Sequence, residues 1–172
     1  MGFRQLYTTN GVDEFYKTIG YNYSNPHMDD IATIIKSFNL RNAKVLDLAC
    51  GGGEVTWVCQ SMGCKDITGM DPYTGDLYYK NTGIKALSYS FQDVAYNNVL
   101  ENKKFDIVIC SFALHLCPQH VLKLTCLSLA QHCKILIVIS PHKKPYIGHD
   151  YGWTLVKQYK HHRIHVRIFK GK

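Results

Sequence analysis

The chain has 172 residues, with 46% hydrophobic and 12% aromatic side chains and a formal net charge of +7. This composition excludes a disordered or fibrous protein, and the length suits one well-buried core. No apolar run approaches the roughly 18 residues of a membrane span and no signal pattern is found, so we expect no membrane contact and a cytoplasmic location. The seven cysteines lack metal-ligand spacing, which indicates reduced core thiols and no bound metal.

The predicted elements begin with an amphipathic helix over residues 28–38, whose apolar side chains recur at i, i+3, i+4 and i+7. Short apolar strands then alternate with helices. The predicted strands cover residues 44–48, 66–70, 85–89, 105–110 and 134–140, and the predicted helices cover 54–61 and 119–132 and lie near Leu77 and Val94. Because these strands are apolar on both faces, we predict an α/β, Rossmann-like, mostly parallel sheet with helices on both faces.

The last part of the chain has a different pattern. Residues 153–159 and 164–169 alternate apolar with polar side chains, which predicts a C-terminal antiparallel β-hairpin. No repeat or linker divides the chain, so we predict one domain over residues 1–172. This domain comprises an N-terminal lid or helical segment (1–40), a cofactor-binding core (44–140) and the hairpin (153–170).

A glycine turn follows the first predicted strand and opens the next helix. Glycines at 51–53 let the backbone bend and approach a ligand without an intervening side chain. Asp71 follows the second strand, where a carboxylate can accept hydrogen bonds from both ribose hydroxyls. Together these features predict an adenosine pocket.

The nucleotide is distinguished by charge and glycine spacing. In a dinucleotide fingerprint a third glycine would stand where this chain has Thr56. Asp47 would repel a pyrophosphate, whereas S-adenosylmethionine carries an ammonium and a sulfonium and no phosphate. The sequence therefore favours S-adenosylmethionine over NAD.

On these residues, the segment from Val45 to Ser140 resembles the class I S-adenosylmethionine-dependent methyltransferases. The glycine motif is similar to Asp47–Gly53, with Ala49 in place of the family's first glycine, and the link over residues 141–152 is too short for the family's helix before the last hairpin. The resemblance implies S-adenosylmethionine as cofactor, S-adenosylhomocysteine as product and an adenine contact by Asp93. The implied cofactor-binding residues are Asp47, Ala49, Cys50, Gly51, Gly53, Asp71, Pro72, Gln92, Asp93, Val94 and Ser111.

Methyl transfer is an in-line displacement, in which the enzyme aligns the nucleophile and excludes water and a general base is optional. Residues 105–116 resemble the family's fourth-strand motif, which implies that Ser111 and Phe112 lie near the transferred methyl group. His115 is the first candidate base and His142 the second; the alternatives are a packing role for His115 and a solvated loop position for His142. The N-terminal Tyr16, Tyr21, Tyr23, Asn25 and His27 are candidates for a lid over the pocket, with Tyr21 and Tyr23 as substrate contacts; the alternative is a packing segment.

Three functions remain open at this point. Residues 110–113 differ from the Asn/Asp-Pro-Pro-Tyr/Phe sequence of amino-methylating nucleic-acid enzymes, which favours a small-molecule acceptor. The basic residues after Lys143 leave an RNA methyltransferase as an alternative. The third possibility is a non-catalytic methyltransferase-fold subunit that supports a protein partner.

Overall fold

A six-stranded sheet with the strand order β2-β1-β3-β4-β6-β5 forms the centre of the protein. The computed structural model describes residues 25–172; the predicted contacts at Tyr16, Tyr21 and Tyr23 lie outside them. The strands are β1 (Lys44–Leu48), β2 (Asp66–Met70), β3 (Phe105–Ser111), β4 (Cys133–Ser140), β5 (Trp153–His161) and β6 (Ile164–Gly171). The helices are α1 (Met28–Lys36), α2 (Glu54–Ser61), α3 (Gly75–Thr82), α4 (Phe91–Tyr96) and α5 (Gln119–His132), with short 3-10 turns at Leu114–Leu116 and His149–Tyr151.

Strand directions follow the predicted pattern. β2, β1, β3 and β4 pair in parallel, whereas β4 and β6 and then β6 and β5 pair antiparallel. The chain places β2 on one side of β1 and then β3 on the other side, so the strand order reverses between β1 and β3. In sheets of this kind, ligands bind beyond the carboxyl ends of the strands at this point. The predicted Rossmann-like sheet with a C-terminal antiparallel hairpin is confirmed.

Helices cover both faces of the sheet because each strand presents apolar side chains in both directions. On one face, α4 and α5 pack on residues such as Leu46, Val108 and Leu136. On the other face, α1 and α2 pack on residues such as Val45 and Ile107. This double cover leaves the carboxyl ends of β1 and β3 as an open edge for a ligand.

The strand predicted at 85–89 is wrong. Within the described residues only Leu87 bridges to Met70, with its backbone N–H donating to the Gly69 carbonyl at 2.8 Å. The neighbouring Lys85 and Tyr89 are not buried, so a single apolar side chain anchors this segment beside β2. The link over 141–152 contains only the 3-10 turn, as its length predicted.

Tyr78 packs directly on Gly69 and connects α3 to β2, the outermost parallel strand of the sheet. The Tyr78 ring is fully buried, and a Cβ at Gly69 would overlap it. Its hydroxyl lies 2.8 Å from the Thr56 hydroxyl on α2. Glycine at 69 is therefore required by close packing and not by backbone conformation.

We predict that Gly69→Ala lowers the free energy of unfolding by about 1–3 kcal/mol, because the added methyl group displaces the buried Tyr78 ring. Gly75→Ala is the matched control: a Cβ there has no neighbour within 4 Å and should leave stability unchanged or slightly higher. Urea unfolding of both variants measures the difference. Equal stability of the two variants would contradict the packing role of Gly69.

Candidate cofactor and acceptor site

The glycine turn after β1 has an unusual backbone. Ala49, Gly51 and Gly53 have φ angles of 56°, 53° and 90°. Left-handed backbone at the non-glycine Ala49 costs about 1 kcal/mol, a strain that is found at ligand-binding turns. The Thr74 hydroxyl donates a 2.7 Å hydrogen bond to the Gly51 carbonyl, so the loop after β2 holds the turn in place.

Asp71 joins the same two loops. One carboxylate oxygen accepts hydrogen bonds from the backbone N–H groups of Tyr73 and Thr74, at 2.8 and 3.2 Å. The other accepts the N–H of Gly51 at 3.2 Å. Each carboxylate oxygen can accept more than one hydrogen bond, so Asp71 retains capacity toward a ligand.

A cavity of about 370 Å³ opens between these loops and the carboxyl ends of β1 and β3. Its volume is within the range of small-molecule sites. Of the residues predicted to bind cofactor, Asp47, Ala49, Cys50, Gly51, Asp71, Pro72, Gln92 and Ser111 line this cavity, and so do Phe112 and Asn25. Gly53 instead begins α2 behind the turn, against Tyr78 and Thr82.

The charges at this cavity have one sign. Asp47, Glu54 and Asp71 line it, and no lysine, arginine or histidine is present among its described lining residues. This contrasts with the net charge of +7 for the whole chain. The cavity therefore favours a cationic ligand and disfavours a pyrophosphate.

Asp47 is the most deeply buried of the three carboxylates. One of its oxygens accepts hydrogen bonds from the Thr56 N–H and hydroxyl, at 3.1 and 2.7 Å. Burial, opposed by the Thr56 hydroxyl and supported by the nearby charges of Glu54 and Asp71, raises the pKa of Asp47 to about 7. A cation in the cavity would favour the ionised form of this group.

Besides Gly53, two predicted cofactor residues, Asp93 and Val94, do not line the cavity. The Asp93 carboxylate accepts the Ser90 N–H and hydroxyl, at 2.8 and 2.6 Å, in a capping box at the start of α4. Val94 is buried in the core. Gln92, the residue before Asp93, lines the cavity, whereas the Asp93 side chain caps α4. The adenine contact by Asp93 therefore stays a prediction.

Sequence reasoning missed several lining residues, namely Glu54, Thr74, Tyr89, Phe91, Leu116 and Pro118. Glu54 directly follows the glycine motif, and burial raises its pKa. The spacing from Ser90 to Asp93 was a sequence signal for the capping box. The contribution of Thr74 had no local signal, because its contact with Gly51 spans 23 residues.

His115 and His142 come together beyond the ends of β3 and β4. Their ring centroids are 5.4 Å apart and the rings are nearly perpendicular. Within residues 25–172 the buried Nδ1 of His115 has no hydrogen-bond partner, and burial, with a smaller contribution from His142, lowers the pKa of His115. Neither ring lines the cavity, but Ala113 and Leu116 beside His115 do.

The chain at the end of β3 carries two further features. The buried Ser111 hydroxyl has no partner in the described structure, and Phe112 has a left-handed φ of 55°. The His27 ring stacks on Phe112 with the centroids 5.0 Å apart. Residues before α1 therefore contact the cavity wall at the predicted methyl-transfer position.

A histidine and aspartate cluster lies away from the cavity. Asp30 on α1 contacts His162 at 2.8 Å and His161 at 3.3 Å in the turn of the hairpin. One potential metal-ligating atom from each residue lies within 4.8 Å of the others. Sequence spacing did not indicate this cluster because Asp30 is more than 130 residues from the two adjacent histidines. The Asp30 carboxylate pairs with both rings.

Comparisons with known proteins agree with this geometry. Residues 45–134, just over half of the chain, match the family described as methyltransferase domain. A protein of Schizosaccharomyces pombe is 28% identical over 94% of this chain and 89% of its own length. A TehB-like S-adenosylmethionine-dependent methyltransferase from Corynebacterium glutamicum superposes with a TM-score of 0.65 at 15% identity, over 83% of this chain and 87% of its own.

Magnesium protoporphyrin IX methyltransferase from Synechocystis, with bound S-adenosylmethionine, superposes with a TM-score of 0.61 at 18% identity, over 96% of this chain and 92% of its own. The fold is that of the class I S-adenosylmethionine-dependent methyltransferases. The chain belongs to the methyltransferase domain family. S-adenosylmethionine, the cofactor expected from the sequence, is the cofactor of that class.

In residues 25–172 no helix has both the length and the apolar character to cross a membrane.

Proposed function

We propose that the protein transfers a methyl group from S-adenosylmethionine to a small-molecule acceptor. The observation that carries this proposal is the cavity lined by Asp47, Glu54 and Asp71, with no basic side chain among the lining residues of the range 25–172. A ligand with an ammonium and a sulfonium fits these charges, whereas the phosphates of a dinucleotide would be repelled.

The residues of the cavity suit the parts of this cofactor. Asp71 would accept hydrogen bonds from the ribose hydroxyls, as carboxylates at the end of a second strand do. The left-handed turn at Gly51 brings backbone close to the ligand without a side chain. Asp47 would attract the cationic end, and Gln92 and Pro72 would contact the base.

When bound, S-adenosylmethionine supplies a methyl group on a positively charged sulfur. The protein then has to align the acceptor and keep water away from the reacting atoms. Phe112 and Leu116 provide apolar surface for this purpose, and the unpartnered Ser111 hydroxyl offers a hydrogen bond to an acceptor or cofactor group.

His115 is proposed as the general base, with His142 beside it. Its lowered pKa keeps the ring neutral at pH 7, so that one ring nitrogen is free to accept a proton. The His142 ring is exposed, and its centroid is 5.4 Å from that of His115. A proton taken from the acceptor would therefore have a short route to water.

Methylation of RNA is a second candidate. β5 is exposed along most of its length and carries Lys157 and Lys160, and the exposed Tyr146 offers a ring for stacking. The small-molecule acceptor is favoured because the described part of the chain contributes no basic side chain to the cofactor cavity. The third candidate, a non-catalytic subunit, draws support from Leu155 and Val156, which are 45% and 58% exposed on the edge strand.

A reducing compartment such as the cytoplasm suits the cysteines. All seven are buried and unpaired. Burial raises the pKa of the Cys50 thiol in the glycine turn, so this residue remains a neutral, packed side chain.

The cofactor proposal is tested by calorimetric titration with S-adenosylmethionine and, separately, NAD. We expect the wild type to bind S-adenosylmethionine and not NAD, and Asp71→Ala to weaken binding by tenfold or more, equivalent to about 1.4 kcal/mol or more. Asp66→Ala, at the exposed start of β2, is the matched control and should bind as the wild type does. Failure of the wild type to bind S-adenosylmethionine would refute the proposal.

The base is tested with radiolabelled methyl donor and the small-molecule fraction of a cell extract. We expect His115→Gln to lower the methyl-transfer rate about 100-fold, within the usual range for loss of a general base, and to leave cofactor affinity unchanged. His120→Gln, exposed on α5, serves as control. Equal rates for the two variants would leave His115 with a packing role.

A further inference from the structure

A second cavity, of about 530 Å³, lies between the β5–β6 hairpin and the loop after β4. Lys143, Lys160, His165 and Arg167 line it, and no aspartate or glutamate is among its described lining residues. Its charge is therefore opposite to that of the cofactor cavity. Such a concentration of basic groups without counter-charges points to an anionic ligand.

Arg167 is the buried centre of this cavity. It lies on β6 opposite Val138 of β4 and is only 7% exposed. Its Nη1 donates a 2.5 Å hydrogen bond to the Pro145 carbonyl. Its Nε and Nη2 are buried and have no hydrogen-bond partner in the described part of the chain.

A buried guanidinium with two unpartnered nitrogen atoms is costly. Arginine stays protonated in proteins, so it cannot escape burial by losing its charge. Unpaired buried charges and unsatisfied donors each destabilise the folded state. The ring of Phe169, 5.9 Å from the guanidinium carbon, offers only partial compensation. This arrangement is accounted for if a ligand supplies the missing acceptors.

The two unpartnered nitrogen atoms of Arg167 indicate the shape of that ligand. Nε and Nη2 form one edge of the guanidinium fork, which pairs with two oxygens of a carboxylate or a phosphate. Lys143 and Lys160 line the same cavity and add two positive charges. Several cations at one site favour a dianion over a singly charged carboxylate.

The electrostatic environment of His165 agrees with this reading. Burial, followed by the charges of Lys160, Lys143 and Arg167, lowers the pKa of His165. The neighbouring positive charges thus add to the effect of burial and disfavour a further cation at this cavity.

We propose that this cavity binds a phosphate group, with Arg167 contacting two of its oxygens and Lys143 and Lys160 balancing its charge. The ligand is inorganic phosphate or the monoester of a small molecule. Lys143 directly follows His142, and the charge of His142 acts on His165, so a bound phosphate would lie near the histidine pair. The proposal concerns binding alone and does not depend on methyl transfer.

Thermal unfolding and phosphorus NMR titration in phosphate-free buffer test the proposal, with glycerol phosphate as the monoester and potassium chloride at equal ionic strength as reference. We expect phosphate to raise the melting temperature of the wild type beyond the effect of chloride. Arg167→Met should weaken binding tenfold or more, and Arg167→Lys should also weaken it because lysine lacks the fork. Lys157→Gln, on β5 but outside the cavity, should bind as the wild type does.

Two further sets of measurements, on lysine variants and on different ligands, distinguish the possible outcomes. Lys143→Gln and Lys160→Gln replace exposed side chains, so they test the site even if Arg167→Met does not fold; each should weaken phosphate binding. Tighter binding of the monoester than of inorganic phosphate would identify a phosphorylated small molecule, and the reverse would identify free phosphate. No stabilisation beyond chloride, or unchanged binding in the Arg167 and lysine variants, would overturn the proposal. Arg167-dependent binding of a short single-stranded RNA, tighter than either phosphate, would replace the small ligand by nucleic acid.

Discussion

The buried carboxylate of Asp47 connects the fold to the site. The β1–β2 register places Asp47 beside Gly69, on which the Tyr78 ring packs. The Tyr78 hydroxyl contacts Thr56, and Thr56 donates two hydrogen bonds to Asp47. A chain of packing and hydrogen bonds from α3 through α2 therefore fixes this carboxylate at the wall of the cofactor cavity.

The same carboxylate reduces the stability of the ligand-free protein. Its pKa in the folded state, about 7, is above the value of about 3.9 in an unfolded chain. The stabilising contribution of the protonated form is therefore complete below about pH 4 and is lost as the pH rises through 7. A cationic ligand offsets this cost, whereas an anion would increase it.

The protein separates charges of opposite sign on either side of the histidine pair. Carboxylates line the cavity at β1, and basic groups line the cavity at the hairpin. The His115 and His142 rings lie beyond β3 and β4, between these regions in the strand order. The net charge of the chain does not report this separation, which follows from the arrangement of the strands in the sheet.

The sequence predicted the features that depend on local pattern. The bounds of β1, β2, α2 and α5 agree with the expected ranges because apolar periodicity and the glycine turn define them. The prediction of a strand at 85–89 failed because the apolar composition of this segment resembles that of a strand. In the described structure only Leu87 pairs with β2. The capping role of Asp93 was not predicted, although Ser90 three residues earlier is a local signal for a capping box.

Features that arise from distant contacts were not predictable from local pattern. The unpartnered donors of Arg167 depend on the Pro145 carbonyl and on the absence of a carboxylate nearby in the described structure. The pairing of Asp30 with the hairpin turn joins opposite ends of the described chain. Binding patterns read along a sequence cannot reveal sites assembled across a sheet edge.

The most direct measurement is the number of protons exchanged when the wild type binds S-adenosylmethionine, obtained by calorimetry near pH 7 in buffers of different ionisation enthalpy. The bound cation would lower the pKa of Asp47 from about 7, so binding should release less than one proton per ligand on average. For the same reason, the affinity should increase as the pH rises through 7. Asp47→Asn, which keeps the shape but cannot ionise, should bind more weakly and without this proton release. Binding of S-adenosylmethionine that is independent of pH and identical in both proteins would contradict the central role of the Asp47 carboxylate.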